Sequence, residues 1–193
     1  MKLLLRSTLY VVVLTVLLGG LYPAAVTAVG QLFWRDRANG SFVTSEGRVV
    51  GSSLIGQNFK DPRYLRPRPS GAGKEGYDGT ASAGRNKGPT DKSLAEAITE
   101  AVAAARADRP GNAGPVPADL VTASASGLDP HLSPDAALWQ AARIARARGV
   151  TEAQVTEVLR KRIEPRTLWI LGEPRVNVLL ANLDLDQSFP NRP

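Results

Sequence analysis

The sequence has no cysteine and only one histidine, His131, among its 193 residues. Without cysteine the chain can have no disulfide framework, no thiolate nucleophile and no cysteine-ligated zinc. A single histidine excludes a multi-histidine metal site and most proton-relay chemistry. These absences exclude several classes of enzyme, and we predict that this chain binds no metal.

The chain also has no excess of acidic residues. Its basic residues are the more numerous, and this excess of positive charge lies in one part of the sequence. Lys and Arg number 24 against 18 Asp and Glu, a net charge of +6. Residues 35–92 contain eleven basic and six acidic residues, whereas residues 93–193 contain eleven and twelve. The basic stretch includes a long Gly/Ser/Pro-rich loop region at about 56–90, with Tyr64 and Tyr77 among the cations. Such a surface suits anionic lipid or an acidic partner, and we predict no nucleic-acid partner.

The N-terminal region is apolar enough to cross a membrane. No charged residue lies between Ser7 and Trp34, and Leu9–Val29 is a run of 21 predominantly apolar residues. A helix of that length spans roughly 31 Å, the thickness of the hydrocarbon core. We therefore divide the chain into a transmembrane anchor, 1–34, and one soluble domain, 35–193.

Flanking charges predict the orientation of this anchor. Lys2 and Arg6 precede the apolar run, so the positive-inside rule favours a cytoplasmic N-terminus and a soluble domain outside the cell, although Arg35 and Arg37 follow directly. The alternative is a signal peptide cleaved near Val26-Thr27-Ala28, whose apolar region would be unusually long. Both interpretations export the rest of the chain.

Local patterns in the soluble domain predict a single mixed domain of the α+β class, with three or four helices and a small sheet. A hairpin is expected over residues 41–50 around a Gly turn, with Ser52–Ile55 as an extension of its second strand. Capping signals predict the helices. The helices are expected to run from Ser93 to about Ala107, from Ser133 to Gly149, from Thr151 to Pro165, and from Pro174 onward. The last segment fits a strand through Val176, Val178 and Leu180 equally well.

Three loops carry groups that suit anions. Gly51–Gln57 ends in a turn that can present backbone N–H groups and an amide to phosphate, although ordinary hairpin turns use the same residues. Arg66–Ser70 holds two guanidinium groups on a stiff proline-containing backbone, which suits carboxylate or phosphate and equally a solvated surface loop. Gly79–Thr90 leads into a helix N-terminus but lacks the ending of a nucleotide-binding P-loop.

A cluster of Ser126, Asp129 and His131 has the residue types of a hydrolase triad. Triads draw their members from separated elements so that three side chains converge. We therefore favour a turn that ends in the Ser133 helix cap, with an exported hydrolase as the alternative. Likewise, the charged segment Gly172–Asn177 is interpreted as an exposed entry to the last helix.

Seven features occur in one order along the chain after an anchor that ends near Tyr22-Pro23. They are GSSLIGQNF (51–59), YLRPRPS (64–70), Tyr77, GRNKGPT (84–90), VPADLVTASASGLDPHLSP (116–134), ARARGV (145–150) and GEPRVNVLLANLDLD (172–186). Together they resemble the C subunit of the Kdp potassium-transporting P-type ATPase. One departure is the loop at 80–90, which reads TASAGRNKGPT where the family more often has a Ser-Gly-Gly-Ser-Asn-Leu-Gly-Pro pattern.

The resemblance implies an accessory, non-catalytic subunit with one helix in the bacterial inner membrane. Its implied partners are a channel-like potassium-translocating subunit, an ATP-hydrolysing P-type subunit and the lipid bilayer. The implied role is to stabilise the complex and to act as a catalytic chaperone for ATP binding, with ATP shared with the hydrolysing subunit. The alternative function is a membrane-tethered extracytoplasmic binding module for an anionic ligand or nucleotide.

The resemblance also assigns candidate residues. It implicates Gln57 in the nucleotide role, and we add its neighbours Ser53 and Gly56. The candidates for partner or structural loops are Arg66, Arg68, Ser70, Tyr77, Asn86, Asp129, His131, Glu173, Arg175 and Asn177. A domain outside the cell would lie away from ATP, so it could instead cover the potassium entrance or act through the anchor.

Overall fold

The computed structural model describes residues 1–190, and the chain forms two compact units. The first unit is Met1–Val43 and the second begins at Thr44. The boundary proposed from sequence, between residues 34 and 35, lies within the first unit. The second unit contains the sheet, the core and the candidate residues discussed below.

The first unit is dominated by one long apolar helix. Its parts are α1 (Lys2–Val16), a π-helical turn (Leu17–Leu21) and α2 (Tyr22–Phe33). Together Lys2–Phe33 make 32 helical residues, which include an 18-residue window of mean hydropathy 2.1, and none of that window is buried in the protein. This helix is long and apolar enough to cross a bilayer. A short α3 (Arg35–Ala38) follows it.

The π-helical turn has an identifiable cause. Pro23 has no N–H and its ring would collide with the carbonyl of the preceding turn in a regular α-helix. In the structure the N–H of Tyr22 instead donates to the carbonyl of Leu17, five residues back. The wider turn lets the helix continue through the proline without ending.

The predicted hairpin is confirmed. Strand β1 (Phe42–Ser45) pairs with β2 (Arg48–Ser52). The two turn residues, Glu46 and Gly47, have φ of +50° and +76°, as a type I′ turn requires. The extension predicted over Ser52–Ile55 is wrong, because the strand ends at Ser52 and the chain turns away.

The rest of the second unit confirms the α+β class. Within the described residues its further elements are α4 (Lys92–Asp108), a 3₁₀ turn (Ala118–Leu120), β3 (His131–Leu132), α5 (Pro134–Trp139), α6 (Ala141–Arg148), α7 (Glu152–Lys161), β4 (Ile163–Glu164), β5 (Arg175–Asn177) and α8 (Val178–Ser188). The second sheet has the order β3-β5-β4, and both pairs are antiparallel. Strand β5 is therefore central, with Val176 opposite both Leu132 and Ile163.

Helix starts follow local capping chemistry, with one correction. Ser133 caps α5 and Thr151 forms a complete capping box at α7, as predicted. Helix α4, however, is capped by Asp91, whose carboxylate accepts from the N–H of Ser93. Ser93 already lies within the first turn of the helix, and its hydroxyl donates to the same carboxylate.

Tertiary contacts change three other boundaries. The helix predicted over 133–149 is divided at Gln140 into α5 and α6, and it ends as expected at Gly149, which has φ of +67°. Helix α7 ends at Lys161 rather than at Pro165, because Ile163–Glu164 pair with β5. The ambiguous last segment is both a strand and a helix, with β5 followed directly by α8.

The core lies among α5–α8 and the three-stranded sheet. Its fully buried side chains include Leu65, Leu132, Ile144, Val155, Leu159, Val176, Val178 and Leu185. Leu65 belongs to the long loop between β2 and α4, so this loop must be held firmly against the helices.

Two buried amides hold that loop. Asn182 of α8 accepts from the N–H of Leu65 at 2.7 Å and donates to its carbonyl at 3.0 Å. Gln140 makes the same two hydrogen bonds with Arg66, accepting from its N–H at 2.9 Å and donating to its carbonyl at 3.0 Å. Both amides are about 98–99% buried, so they stand in for the neighbouring strand that the loop lacks.

We expect Asn182→Ala to destabilise the chain strongly, because it leaves the buried N–H and carbonyl of Leu65 without partners. An unsatisfied buried polar group costs about 1–3 kcal/mol. Denaturant unfolding of the full chain in detergent measures the loss, with the exposed Gln187→Ala in the same helix as the control. Equal stability of the two variants would contradict the bracing role of Asn182.

Candidate functional site

Ser70 and Tyr77 close the proline-rich loop into a ring. The hydroxyl of Ser70 donates to the carbonyl of Gly127 at 2.6 Å and accepts from the N–H groups of Ala72 and Tyr77. The phenol of Tyr77 donates back to the carbonyl of Arg68 at 2.9 Å. Two candidates from the sequence therefore organise the loop that carries a third.

Tyr77 packs tightly on the 51–57 loop. A Cβ on Gly56 would lie 2.4 Å from the Tyr77 ring and 2.7 Å from the carbonyl oxygen of Asp129, so only glycine fits there. The N–H of Gly56 donates to the carbonyl of Leu128. Burial, and then the nearby charge of Asp129, raise the pKa of Tyr77 well above its usual range, so the phenol stays protonated as a donor.

Gln57 and Ser53 take part in hydrogen bonds within the domain. The amide nitrogen of Gln57 donates to the carbonyl of Val50 at 2.8 Å. The carbonyl of Ser53 accepts from the amide of Asn177 at 2.8 Å, and Asn177 also caps helix α8 through Leu180. The structure thus brings the 51–57 loop against the start of α8. A nucleotide contact by Gln57, Ser53 or Gly56 stays a prediction.

Arg68 and His131 meet at Asp129. A guanidinium nitrogen of Arg68 lies 3.3 Å from one carboxylate oxygen, and the backbone N–H of His131 donates to the other at 2.9 Å. Burial raises the pKa of Asp129, but the hydrogen bonds from His131 and the charge of Arg68 outweigh it and leave the pKa below its usual value. Arg68 also approaches Asp119 and Thr122.

The hydrolase alternative finds no support in this geometry. The hydroxyl of Ser126 accepts from the N–H of Leu128 at 3.1 Å and lies near the hydroxyl of Ser124. Within residues 1–190 no hydrogen bond joins Ser126 to His131, and Arg68 already pairs with Asp129. Serine and base therefore lack the contact that a nucleophile needs.

A basic cleft of about 570 Å³ opens beside this loop cluster. Five cationic side chains line it against two carboxylates, Glu75 and Asp108. The cations are Lys60, Arg66, Arg68, Lys74 and Arg85. Arg66 lies 3.5 Å from Asp108 and Lys60 lies 3.5 Å from Glu75. No ion pair within the described residues involves Lys74 or Arg85, so the cleft is suited to an anionic group.

Two arginines with buried side chains, which were not among the candidates from the sequence, bind the long loop between β2 and α4. Arg143 donates to the carbonyls of Pro62 and Tyr64 and pairs with Asp108 at 2.9 Å. Arg148 donates to the carbonyl of Arg63 and pairs with Asp186. Arg148 comes four residues after the buried Ile144, so its place on the inward face of α6 was a readable signal.

The remaining candidates differ in their surroundings. Asn86 is exposed on its loop. Glu173 pairs with Arg166 and Arg175 pairs with Glu164, so these two residues do not form a charge pair with each other. Asn177, expected in an exposed helix entry, is instead 98% buried. No group of acidic or histidine side chains in the described part of the chain could hold a metal ion.

Asp129 makes the stability of the domain dependent on pH, with a loss of stability in acid. Its folded pKa lies below the unfolded value of about 3.9, so the stabilisation is complete above that value and is lost as pH falls through the folded pKa. We expect Asp129→Asn to be less stable than the unmodified chain by about 1–2 kcal/mol at pH 7. The difference should shrink between pH 5 and pH 2 in thermal unfolding. Glu100→Gln, on the exposed side of α4, is the control, and a difference that is constant with pH would contradict the assignment.

The sequence matches a known family over residues 4–187, described as KdpC, the K⁺-transporting ATPase c chain. Three curated proteins named potassium-transporting ATPase KdpC subunit are similar to it. The protein from Myxococcus xanthus is 58% identical over 92% of this chain and 84% of its own length. The protein from Sorangium cellulosum is 55% identical over 90% of this chain and 92% of its own length. The protein from Koribacter versatilis is 46% identical over 98% of this chain and 96% of its own length. With a match that covers nearly its whole length, this chain belongs to the KdpC family of K⁺-transporting ATPase subunits.

Proposed function

We propose that the chain stabilises a potassium-transporting ATPase complex and raises the affinity of its hydrolysing subunit for ATP. One observation carries this proposal: the polar residues of the family motifs hydrogen-bond to one another and fix the shape of the loops. Ser70, Tyr77, Asn177 and the Arg68–Asp129 pair are all used in this way. A domain built like this offers a rigid surface to partners and leaves the chemistry to them.

The chain needs partners to transport an ion. One membrane-competent helix, Lys2–Phe33, cannot enclose a path for potassium. The sequence also lacks the Asp-Lys-Thr-Gly run that P-type enzymes phosphorylate, since Asp91-Lys92 continues as Ser93-Leu94. We therefore propose a channel-like potassium-translocating subunit and an ATP-hydrolysing P-type subunit as its partners, within the bilayer of the bacterial inner membrane.

The effect on ATP is best explained by coupling. A ligand's affinity changes only where a contact differs between two states of the complex. Gln57 secures the exit of the hairpin through Val50, so it acts as a positioning residue for the 51–57 loop. ATP then belongs to the hydrolysing subunit, and a contact shared with this chain is the competing explanation.

We expect Gln57→Ala to raise the KM for ATP of the assembled ATPase about fivefold, at the lower end of allosteric couplings. The complex should still co-purify in normal yield, because the core of this subunit is unaffected. The ATPase activity of purified complexes measures the effect, with Gln187→Ala as the control. An unchanged KM would contradict the coupling role of Gln57, and failure of the unmodified chain to co-purify with the larger subunits would contradict the accessory role.

A second function is favoured by the basic cleft. Its cations, including Lys74 and Arg85, suit an anionic ligand bound by this chain alone. Saturable binding of ATP to the purified full chain without partners, weakened in Lys74→Ala/Arg85→Ala, would favour this binding module over coupling.

We also propose that the N-terminus is cytoplasmic and the second unit extracytoplasmic. Since the chain has no cysteine, single cysteines report topology without background. In intact cells a membrane-impermeant maleimide should label Lys74→Cys, on the exposed 56–90 loop, while Lys2→Cys should react only after lysis. The opposite pattern would place the cleft in the cytoplasm and favour direct contact with ATP.

A further inference from the structure

The loop between β4 and β5 ends in a short apolar projection, here called the apolar tip (Thr167–Leu171). Leu168, Trp169, Ile170 and Leu171 are between 56% and 82% exposed. Four consecutive large apolar side chains in water are unusual for a soluble surface, where such residues are normally scattered. Because all four are exposed together, the whole tip is apolar rather than one face of it.

The backbone of the tip is prepared for a water-poor environment. Thr167 and Leu171 exchange two hydrogen bonds of 2.9 Å, and the N–H groups of Trp169 and Ile170 donate to the carbonyls of Arg166 and Thr167. Four consecutive apolar residues thus sit on a turn whose donors are largely satisfied from within. Internal pairing of this kind is what insertion among lipid chains requires, because no water is present to replace it.

The neck of the tip carries no net charge. Arg166 pairs with Glu173 across it at 2.7 Å, and Arg175 pairs with Glu164 at 3.0 Å on the adjoining strands. Paired charges below an apolar end match the profile of a membrane surface, with headgroups outside and acyl chains beneath. Tryptophan is also the residue that prefers this boundary, because its ring is apolar and its N–H is polar.

The same chain contains a second segment suited to lipid, since the helix Lys2–Phe33 is able to span a bilayer. We propose that the apolar tip inserts into the interfacial region of the lipid bilayer, as a second and shallow membrane contact of this subunit. This inference rests on the membrane anchoring in the proposed function. It adds a lipid site about 135 residues beyond the anchor in sequence.

Tryptophan fluorescence tests the proposal directly. The chain has three tryptophans: Trp34 at the end of the apolar helix, Trp139 in the protein interior and Trp169 on the tip. The full chain is reconstituted into phosphatidylcholine vesicles, with or without bromine on the acyl chains. Trp34→Phe then leaves Trp139 and Trp169, and Trp34→Phe/Trp169→Phe is the matched control that retains Trp139.

We expect brominated lipid to reduce the emission assigned to Trp169 at least twofold, while that of Trp139 stays unchanged. Quenching of Trp34, from the unmodified chain against Trp34→Phe, reports the anchor separately. Quenched Trp34 with unquenched Trp169 would overturn the tip proposal and leave the anchor intact. A shift of Trp169 emission only when the partner subunits are added would also overturn it, by showing a protein contact. Unquenched Trp34 would overturn the anchoring itself.

Discussion

The 39 residues between β2 and α4 contain no helix or strand, yet Leu65 in their midst is fully buried. Backbone groups buried with it need partners that no neighbouring strand supplies. The amides of Gln140 and Asn182 meet this need, each binding both the N–H and the carbonyl of one loop residue. The order of the loop cluster depends on these four hydrogen bonds, because they fix the segment from which Arg66 and Arg68 project.

The same constraint explains the chemistry of the family motifs. Ser70 and Tyr77 satisfy donors and acceptors of the loop, while Asp129 balances the charge of Arg68 and orders the turn at His131. These residues have the types that catalysis uses, but their partners lie within the domain. The polar groups of the motifs therefore fix the shape of the loops beside the basic cleft.

Local elements were readable from the sequence where their causes are local. The apolar run gave the membrane-competent helix, and Ser133 and Thr151 were recognised as caps because a cap acts on residues within one turn. The cap of α4 was placed at Ser93 instead of Asp91, because both side chains can accept from a helix N–H and only the backbone geometry decides which residue is the cap. The end of α7 was misplaced because pairing of Ile163–Glu164 with β5 overrode the helical pattern.

Composition and motifs by themselves determined the class of fold, the long apolar helix and the family of this protein, because each depends on residue types and their order. Tertiary structure alone decided what the candidate residues touch. Asn182 meets Leu65 across 117 positions and Gln140 meets Arg66 across 74, and no local periodicity encodes such pairs. They arise because a buried loop must satisfy its backbone wherever a side chain of the right length happens to pack.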